Sequence, residues 1–127
     1  MSFITAFGTA NPSHQFSQAT LADFMVRSMQ LNNNDERKLR TIFRATGIES
    51  RYSVLPDYGK SKDFDFYPNS HDFEPFPSTQ KRLEAFRDHA LPLSMRAIEK
   101  MSASSSIDLQ KITHLIVVSC TGMYAPG

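Results

Sequence analysis

The chain has 127 residues, of which 40% are hydrophobic and 21% charged, with 14 basic residues against 13 acidic ones. This length suits one ordinary domain, and the near-neutral charge argues against a nucleic-acid-binding surface. Because there is a single cysteine and no apolar run near the ~20 residues that span a bilayer, we expect no disulfide framework, no membrane span and a reducing, cytoplasmic location.

The N-terminal third predicts a strand and two helices. Residues 3–7 form a short β-prone run before a glycine, which indicates a buried strand followed by a loop. From Gln18 to Leu31 the apolar residues recur at helical spacing, and Ser17 is the expected N-cap. The run Asn32–Asn34 ends this helix and caps a second one, for which Gly47 provides a left-handed stop.

The middle of the chain is irregular. Residues 49–55 alternate weakly and predict a short strand. Residues 56–77, here called the acidic–aromatic segment, contain four prolines, five acidic residues and no regular apolar period. Because a structureless stretch beyond ~12–15 residues is unusual in a compact domain, we expect this segment to wrap the surface and to be anchored by its Phe and Tyr side chains.

The C-terminal part predicts helices followed by a strand. Ser78 caps a helical region that Pro92 should divide into helices near 79–90 and 92–101, because proline removes a hydrogen-bond donor and clashes with the preceding turn. The near-continuously apolar run 112–118 indicates a parallel strand buried on both faces. A parallel strand normally leads into a crossover helix. We therefore expect the chain to be the N-terminal part of a longer protein.

Two groups of residues are candidates for chemistry. Cys120 follows the last apolar run and could act as a nucleophile with a histidine base, or form part of a pocket wall, which its surroundings favour. The basic residues of the second helix, among them Lys38 and Arg44, could hold a polyphosphate or form a solvated face. No cluster has metal-ligand spacing, so no metal site is expected.

Three stretches occur together in one order and spacing: ITAFGTANP near the N-terminus, KLRTIFRATGIESRY at 38–52 and KITHLIVVSCTGMYAPG at the C-terminus. Through them the chain resembles the N-terminal region of the type III polyketide synthases, the chalcone and stilbene synthase-like enzymes. The resemblance implies an α/β fold, the N-terminal portion of a thiolase-like fold with a parallel-rich sheet and flanking helices, truncated before the nucleophile. Residues 1–127 would be one such piece, with 56–77 an irregular segment within it.

The resemblance also implies a chemistry. Such enzymes transfer an acyl group from a starter coenzyme A thioester to a cysteine, decarboxylate malonyl-CoA beside a histidine and an asparagine, and join the two in a Claisen condensation that builds a polyketide. These three residues lie later in the family, so we expect no catalytic residue in this chain and no activity from it alone. Acyl-CoA and malonyl-CoA would be the partners, without a covalently bound cofactor, and the full-length protein would be a homodimer.

By the same resemblance, Cys120 and Thr121 would line the acyl cavity. Ala125–Pro126 matches a pair at the dimer interface, where a cis peptide bond is a hypothesis.

The resemblance also assigns coenzyme A contacts to the second helix. Lys38 matches a basic position that contacts the coenzyme A phosphates. The other two positions of that basic cluster fall on Thr41 and Ala45, which are uncharged, so Arg44 or Arg40 would have to substitute.

Three other functions remain open from the sequence. A ketoacyl synthase III-like condensing enzyme would use an acyl carrier protein in place of coenzyme A. A stand-alone binding module would use the acidic–aromatic segment. A small thiol hydrolase would use Cys120, with a thiol pKa well below its ordinary value.

Overall fold

The computed structural model describes residues 3–119, which divide into two compact units. One unit is residues 12–77, and the other combines the residues before it with those from Ser78 onward. In chain order the elements are β1 (His14–Ser17), α1 (Gln18–Ser28), α2 (Asn33–Ala45), β2 (Ser50–Ser53) and α3 (Thr79–Ala103). Short 3-10 turns lie at Pro56–Gly59 and Leu109–Lys111. The described residues therefore form a mixed helix and strand structure, as expected.

A two-stranded antiparallel sheet joins the two ends of the helical pair. β1 pairs with β2 so that His14 lies opposite Ser53 and Ser17 opposite Ser50. The predicted strand in 49–55 is confirmed as β2, whereas β1 was missed. Its four residues run directly into a helix, which leaves too short a stretch for an alternating pattern to be recognised.

Side-chain caps fix where α1 and α2 begin. The Ser17 hydroxyl accepts a hydrogen bond from the Thr20 backbone N–H at 3.0 Å, which confirms the predicted N-cap. α1 ends at Ser28, before the predicted Leu31, because Gln30 takes a left-handed conformation with φ 47°.

The cap of α2 is Asn32, the first residue of the predicted capping run. Its Oδ1 accepts from the backbone N–H groups of Asn34 and Asp35 at 3.0 and 3.1 Å. The helix stops before Gly47, whose φ of +66° confirms the predicted left-handed turn.

An aromatic cluster centred on Phe24 forms the core of the 12–77 unit. Phe24 is 1% exposed, and its ring centroid lies 4.9 Å from that of Tyr58, 5.0 Å from Tyr67 and 5.3 Å from Phe73. Phe64 packs on the same ring at 6.2 Å. The expectation that the acidic–aromatic segment is anchored by its Phe and Tyr side chains is thus confirmed.

A buried carboxylate organises the backbone of that segment. Asp57 is fully buried, and its Oδ1 accepts a hydrogen bond from the Asp65 N–H at 3.0 Å. Its Oδ2 accepts from the N–H groups of Phe66 and Tyr67 at 2.7 and 2.8 Å. The carboxylate thereby satisfies three consecutive donors that would otherwise need a strand or helix partner.

The helix α3 runs without interruption from Thr79 to Ala103, so the prediction of two helices separated at Pro92 is wrong. Ser78 caps it as predicted, accepting from the Lys81 N–H at 3.2 Å. Pro92 removes one backbone hydrogen bond of the helix. The turns on both sides of Pro92 keep their own hydrogen bonds, so the helix continues. Gly8 lies so close to the Ala97 carbonyl oxygen of this helix that a Cβ there would collide with it.

The two apolar runs predicted as buried strands form no strand among residues 3–119. Ile4 is 90% exposed in the first run, and Val118 is 89% exposed in the second. A strand needs a hydrogen-bonded neighbour, and the sheet of the described residues contains β1 and β2 alone. The parallel-rich sheet that the resemblance implies is therefore not formed within this part of the chain. None of the helices in residues 3–119 has the length and apolar character needed to cross a bilayer.

Candidate functional site

The candidate site is the basic face of α2. The helix buries part of Leu39 and Phe43 and carries four basic residues on its remaining surface: Arg37, Lys38, Arg40 and Arg44. At about 100° per residue, Arg37 and Arg44 lie on one side of the helix, about two turns apart and roughly 10 Å along its axis. Lys38 and Arg44 are separated by roughly 120° around the same axis.

Two of the four basic side chains already have carboxylate partners. The Lys38 Nζ lies 2.9 Å from Asp35 Oδ1, and this hydrogen bond is the main cause that lowers the pKa of Asp35. Arg40 bridges two helices, with its Nε 2.8 Å from Glu36 and its Nη1 2.7 Å from Asp23 of α1. The hydrogen bonds that Arg40 donates to Glu36 and Asp23 raise the pKa of Arg40. An incoming anion must compete with these carboxylates.

Arg37 and Arg44 form no ion pair with any residue of 3–119. The Arg44 Nε donates to the Arg40 carbonyl oxygen at 3.3 Å, which leaves the rest of its guanidinium free to donate. Between them, the Thr41 hydroxyl donates to the Arg37 carbonyl oxygen at 2.8 Å. The uncompensated charge of α2 therefore lies on the side that carries these two arginines.

The structure does not bring the two predicted coenzyme A contacts together. Lys38 borders a shallow depression of about 360 Å³ that it shares with Arg37, Thr41 and Ile42. Arg44 borders a separate groove of about 710 Å³ between α2 and the start of α1. The Arg44 groove also has an apolar lining, formed by Ala19, Ala22, Phe43 and Ile48. It can accept a ligand that combines an anionic group with an apolar or aromatic part.

Gln18 fixes the C-terminal turn of α2 beside this groove, a role that the sequence analysis did not predict. Its side chain is buried, and the Nε2 donates to the Thr46 hydroxyl at 3.3 Å and to the Phe43 carbonyl at 3.5 Å. Its Oε1 accepts a hydrogen bond from the Arg51 Nε at 3.1 Å, and its backbone N–H donates to the Glu49 backbone carbonyl oxygen at 2.9 Å. A polar residue directly after an N-cap is ordinary in sequence terms, so only its burial marks it as a tie between α1, α2 and β2.

The other predicted site residues lie outside the described residues. Cys120 and Thr121, expected in the wall of an acyl cavity, and the Ala125–Pro126 pair belong to residues 120–127. Their roles stay predictions. Within residues 3–119, no three His, Asp or Glu side chains come together in a way that could hold a metal ion.

Comparisons with known proteins give a consistent result along the whole chain. Residues 1–127 match the family model for chalcone and stilbene synthases, N-terminal domain. The chain is 28% identical to the type III polyketide synthase pspB of Penicillium soppii over 98% of its own length and 29% of that protein. It is 28% identical to bisdemethoxycurcumin synthase of Oryza sativa subsp. japonica, again over 98% of the chain and 30% of that protein.

A solved structure shows the same fold. The crystal structure of PKS-I from the brown alga Ectocarpus siliculosus superposes with a TM-score of 0.75 at 23% identity, covering 100% of this chain and 35% of that one. The chain thus spans about 30% of the length of the curated relatives that it matches.

Proposed function

Because the chain belongs to the chalcone and stilbene synthase family of type III polyketide synthases, we propose that it forms the N-terminal part of an enzyme that condenses an acyl-CoA starter with malonyl-CoA. The observation that carries the proposal is the family match, which extends over residues 1–127. It favours coenzyme A thioesters over the carrier-protein substrates of a ketoacyl synthase III-like enzyme. It also disfavours a thiol hydrolase built on Cys120.

In the proposed reaction a cysteine thiolate attacks the carbonyl carbon of the starter thioester. A new thioester forms between the acyl group and the cysteine sulfur, and coenzyme A leaves as its thiolate. Loss of CO₂ from malonyl-CoA leaves an enolate, stabilised by hydrogen-bond donors aimed at its oxygen. The enolate carbon then attacks the acyl–cysteine carbonyl, so that a carbon–carbon bond forms and the thiolate is released. The cysteine, histidine and asparagine for these steps are expected outside residues 1–127, so the chain by itself is expected to be inactive.

The part proposed for this chain is substrate binding. The α2 helix would face the coenzyme A phosphates, with Arg44 supplying an uncompensated guanidinium beside the larger groove. Lys38 occupies the family position, but its charge is balanced by Asp35 at 2.9 Å. Exposed ion pairs of this kind are weak, so Lys38 can still move to a phosphate. Breaking the pair with Asp35 then offsets part of the binding free energy. We therefore assign the larger contribution to Arg44 and the smaller one to Lys38.

Cys120 and Thr121 would shape the acyl cavity, where a small thiol and a hydroxyl leave room for the starter unit. A cytoplasmic homodimer is part of the same proposal and rests on the family and on the composition. No covalently bound cofactor and no metal ion enter the proposed reaction.

Coenzyme A binding tests the role of α2. We expect calorimetric titration of the chain with coenzyme A to show binding that Arg44→Gln weakens more than Lys38→Gln does. A matched Arg96→Gln change in α3 serves as the control for lost net charge, and dephospho-coenzyme A shows whether the 3′-phosphate is the group contacted. Equal losses for Arg44→Gln and Arg96→Gln would contradict the assignment.

Turnover tests the division of labour between this chain and the rest of the enzyme. Incubation of the chain with an acyl-CoA and carboxyl-labelled malonyl-CoA is expected to release no CO₂ above the blank, whereas an intact type III polyketide synthase does so under the same conditions. Release of CO₂ by the chain alone would show that residues 1–127 contain the catalytic groups after all.

A further inference from the structure

A further cavity lies beside the acidic–aromatic segment and shares no lining residue with the two depressions along α2. Its volume is about 650 Å³. Arg27 from the last turn of α1 lines one side, and Lys62 and His71 line it from the segment. Phe64 and Phe73 form its aromatic part, and Phe73 is only 4% exposed. Four polar or acidic residues complete the lining: Ser61, Asp63, Asn69 and Ser70. The cavity thus combines an aromatic wall with the side chains of Arg27, Lys62 and His71.

The walls of this cavity are held by hydrogen bonds. The Asn69 side chain accepts from the Phe64 N–H at 2.7 Å and donates to the Phe64 carbonyl at 3.0 Å. The Lys60 Nζ donates to the Asp63 carbonyl at 3.1 Å and to the Asp65 carboxylate at 2.6 Å. Together with the Asp57 carboxylate beneath residues 65–67, these bonds fix the loop before any ligand arrives, which lowers the entropic cost of binding.

The basic groups around the cavity are largely uncompensated. The Arg27 Nη2 donates to the Lys60 carbonyl at 3.0 Å, and its guanidinium lies 6.0 Å from the Phe24 ring centroid. Two contacts therefore anchor the guanidinium while other N–H donors remain. Lys62 has no hydrogen bond or ion pair with any residue of 3–119.

Most acidic residues of the segment already have hydrogen-bond or ion-pair partners. Asp57 is buried and accepts hydrogen bonds from three backbone N–H groups. Asp65 forms an ion pair with Lys60, and this contact raises the pKa of Lys60. Asp72 accepts from the Glu74 N–H, and this bond lowers the pKa of Asp72. Among the lining residues Asp63 is the one carboxylate. A segment with net negative charge thus presents a cavity in which cations outnumber anions.

We propose that this cavity is a binding site for a small oxyanion, of which inorganic phosphate is the simplest member and a phosphate monoester the larger one. Arg27 and Lys62 donate charge-assisted hydrogen bonds to the phosphoryl oxygens. The cavity exceeds the size of a free phosphate, and its aromatic wall can pack against the organic part of an ester. No residue of α2 lines this cavity, so the phosphate proposal can be tested independently of the coenzyme A proposal.

Phosphate titration of the ¹⁵N-labelled chain, at pH 7 and constant ionic strength set with NaCl, tests this site. We expect saturable shifts of the backbone amides at residues 61–63 and 69–71. We expect Lys62→Gln to weaken the apparent affinity about three- to fivefold, as for the loss of one exposed charge partner. Lys100→Gln, a matched change in α3 at a residue that does not line the cavity, should leave the affinity unchanged.

Two comparisons complete the test. Arg27→Gln should weaken binding more than Lys62→Gln does; because Arg27 also holds Lys60, the exposed Lys62 variant keeps the proposal testable if the Arg27 variant does not fold. Glycerol 3-phosphate that binds more tightly than inorganic phosphate would assign the site to monoesters, and equal binding would assign it to the free ion. Shifts that never saturate, or equal effects of Lys62→Gln and Lys100→Gln, would overturn the proposal.

Discussion

Replacing Asp57 by asparagine tests how the acidic–aromatic segment is held. The asparagine oxygen can take the place of Oδ2 and keep the hydrogen bonds from Phe66 and Tyr67. Its NH₂ group then faces the Asp65 N–H, where Oδ1 accepts at 3.0 Å in the native chain. One buried backbone donor loses its acceptor and meets another donor instead.

The expected cost follows from these three bonds. A hydrogen bond to a charged group contributes about 1.5–3 kcal/mol, and a buried donor left unpaired costs a similar amount. The two bonds that remain become neutral and lose part of their strength. We therefore expect Asp57→Asn to lower the free energy of unfolding by about 3 kcal/mol, a large share of the roughly 5–15 kcal/mol typical of small proteins.

Urea denaturation followed by far-ultraviolet circular dichroism measures this loss, since the chain has no tryptophan for fluorescence. Asp63→Asn is the matched control, because Asp63 is an exposed acid of the same segment. Its change should stay within about 0.5 kcal/mol, as for most surface substitutions. If Asp57→Asn costs no more than the control, the carboxylate does not organise the segment and the reasoning from its three hydrogen bonds is wrong.

Three further predictions concern α2 and its ends. The hydrogen bond from Lys38 lowers the pKa of Asp35 below 3.8, so the stability it contributes is present at neutral pH and is lost as the pH falls through the lowered pKa; in a ¹³C NMR titration Lys38→Gln should raise that pKa towards 3.8. Gly47→Ala should lower the free energy of unfolding by about 1–2 kcal/mol in urea denaturation, because its φ of +66° is unfavourable for alanine. No atom lies within 4 Å of the added Cβ, so no steric clash adds to this cost. Gln18→Leu should cost about 1–3 kcal/mol by the same assay, since the Arg51 Nε loses the Gln18 acceptor and the Thr46 hydroxyl loses the Gln18 donor; an unchanged midpoint would argue against that tie.

Local signals in the sequence located two helix starts and the end of α2. Ser17 and Ser78 cap helices as predicted because an N-cap needs only a side-chain oxygen and the next three N–H groups. Gly47 was recognised for a similar reason, since a left-handed residue after a helix is a property of a few neighbouring dihedral angles. The aromatic anchoring of the acidic–aromatic segment was also predictable, although its centre, Phe24, belongs to α1.

Non-local contacts account for the predictions that failed. The runs at 3–7 and 112–118 have the composition of buried strands, but burial requires neighbouring strands, and the sheet of residues 3–119 supplies none. The helix continues through Pro92 because a single missing donor is small against the many remaining bonds of a 25-residue helix. Gln18 and Asp57 could not be identified because their roles depend on groups that lie eight to 33 residues away along the chain.

The α2 helix shows that a basic residue cannot be assigned to a phosphate from its position alone. Lys38, the first predicted coenzyme A contact, has its charge balanced by Asp35 one turn earlier. Arg44, the second predicted contact, carries a guanidinium without a carboxylate partner in residues 3–119. A bound phosphate would interact with the sum of the charges that it can reach. Ion pairs within the helix therefore have to be counted before a binding residue is assigned from its position alone.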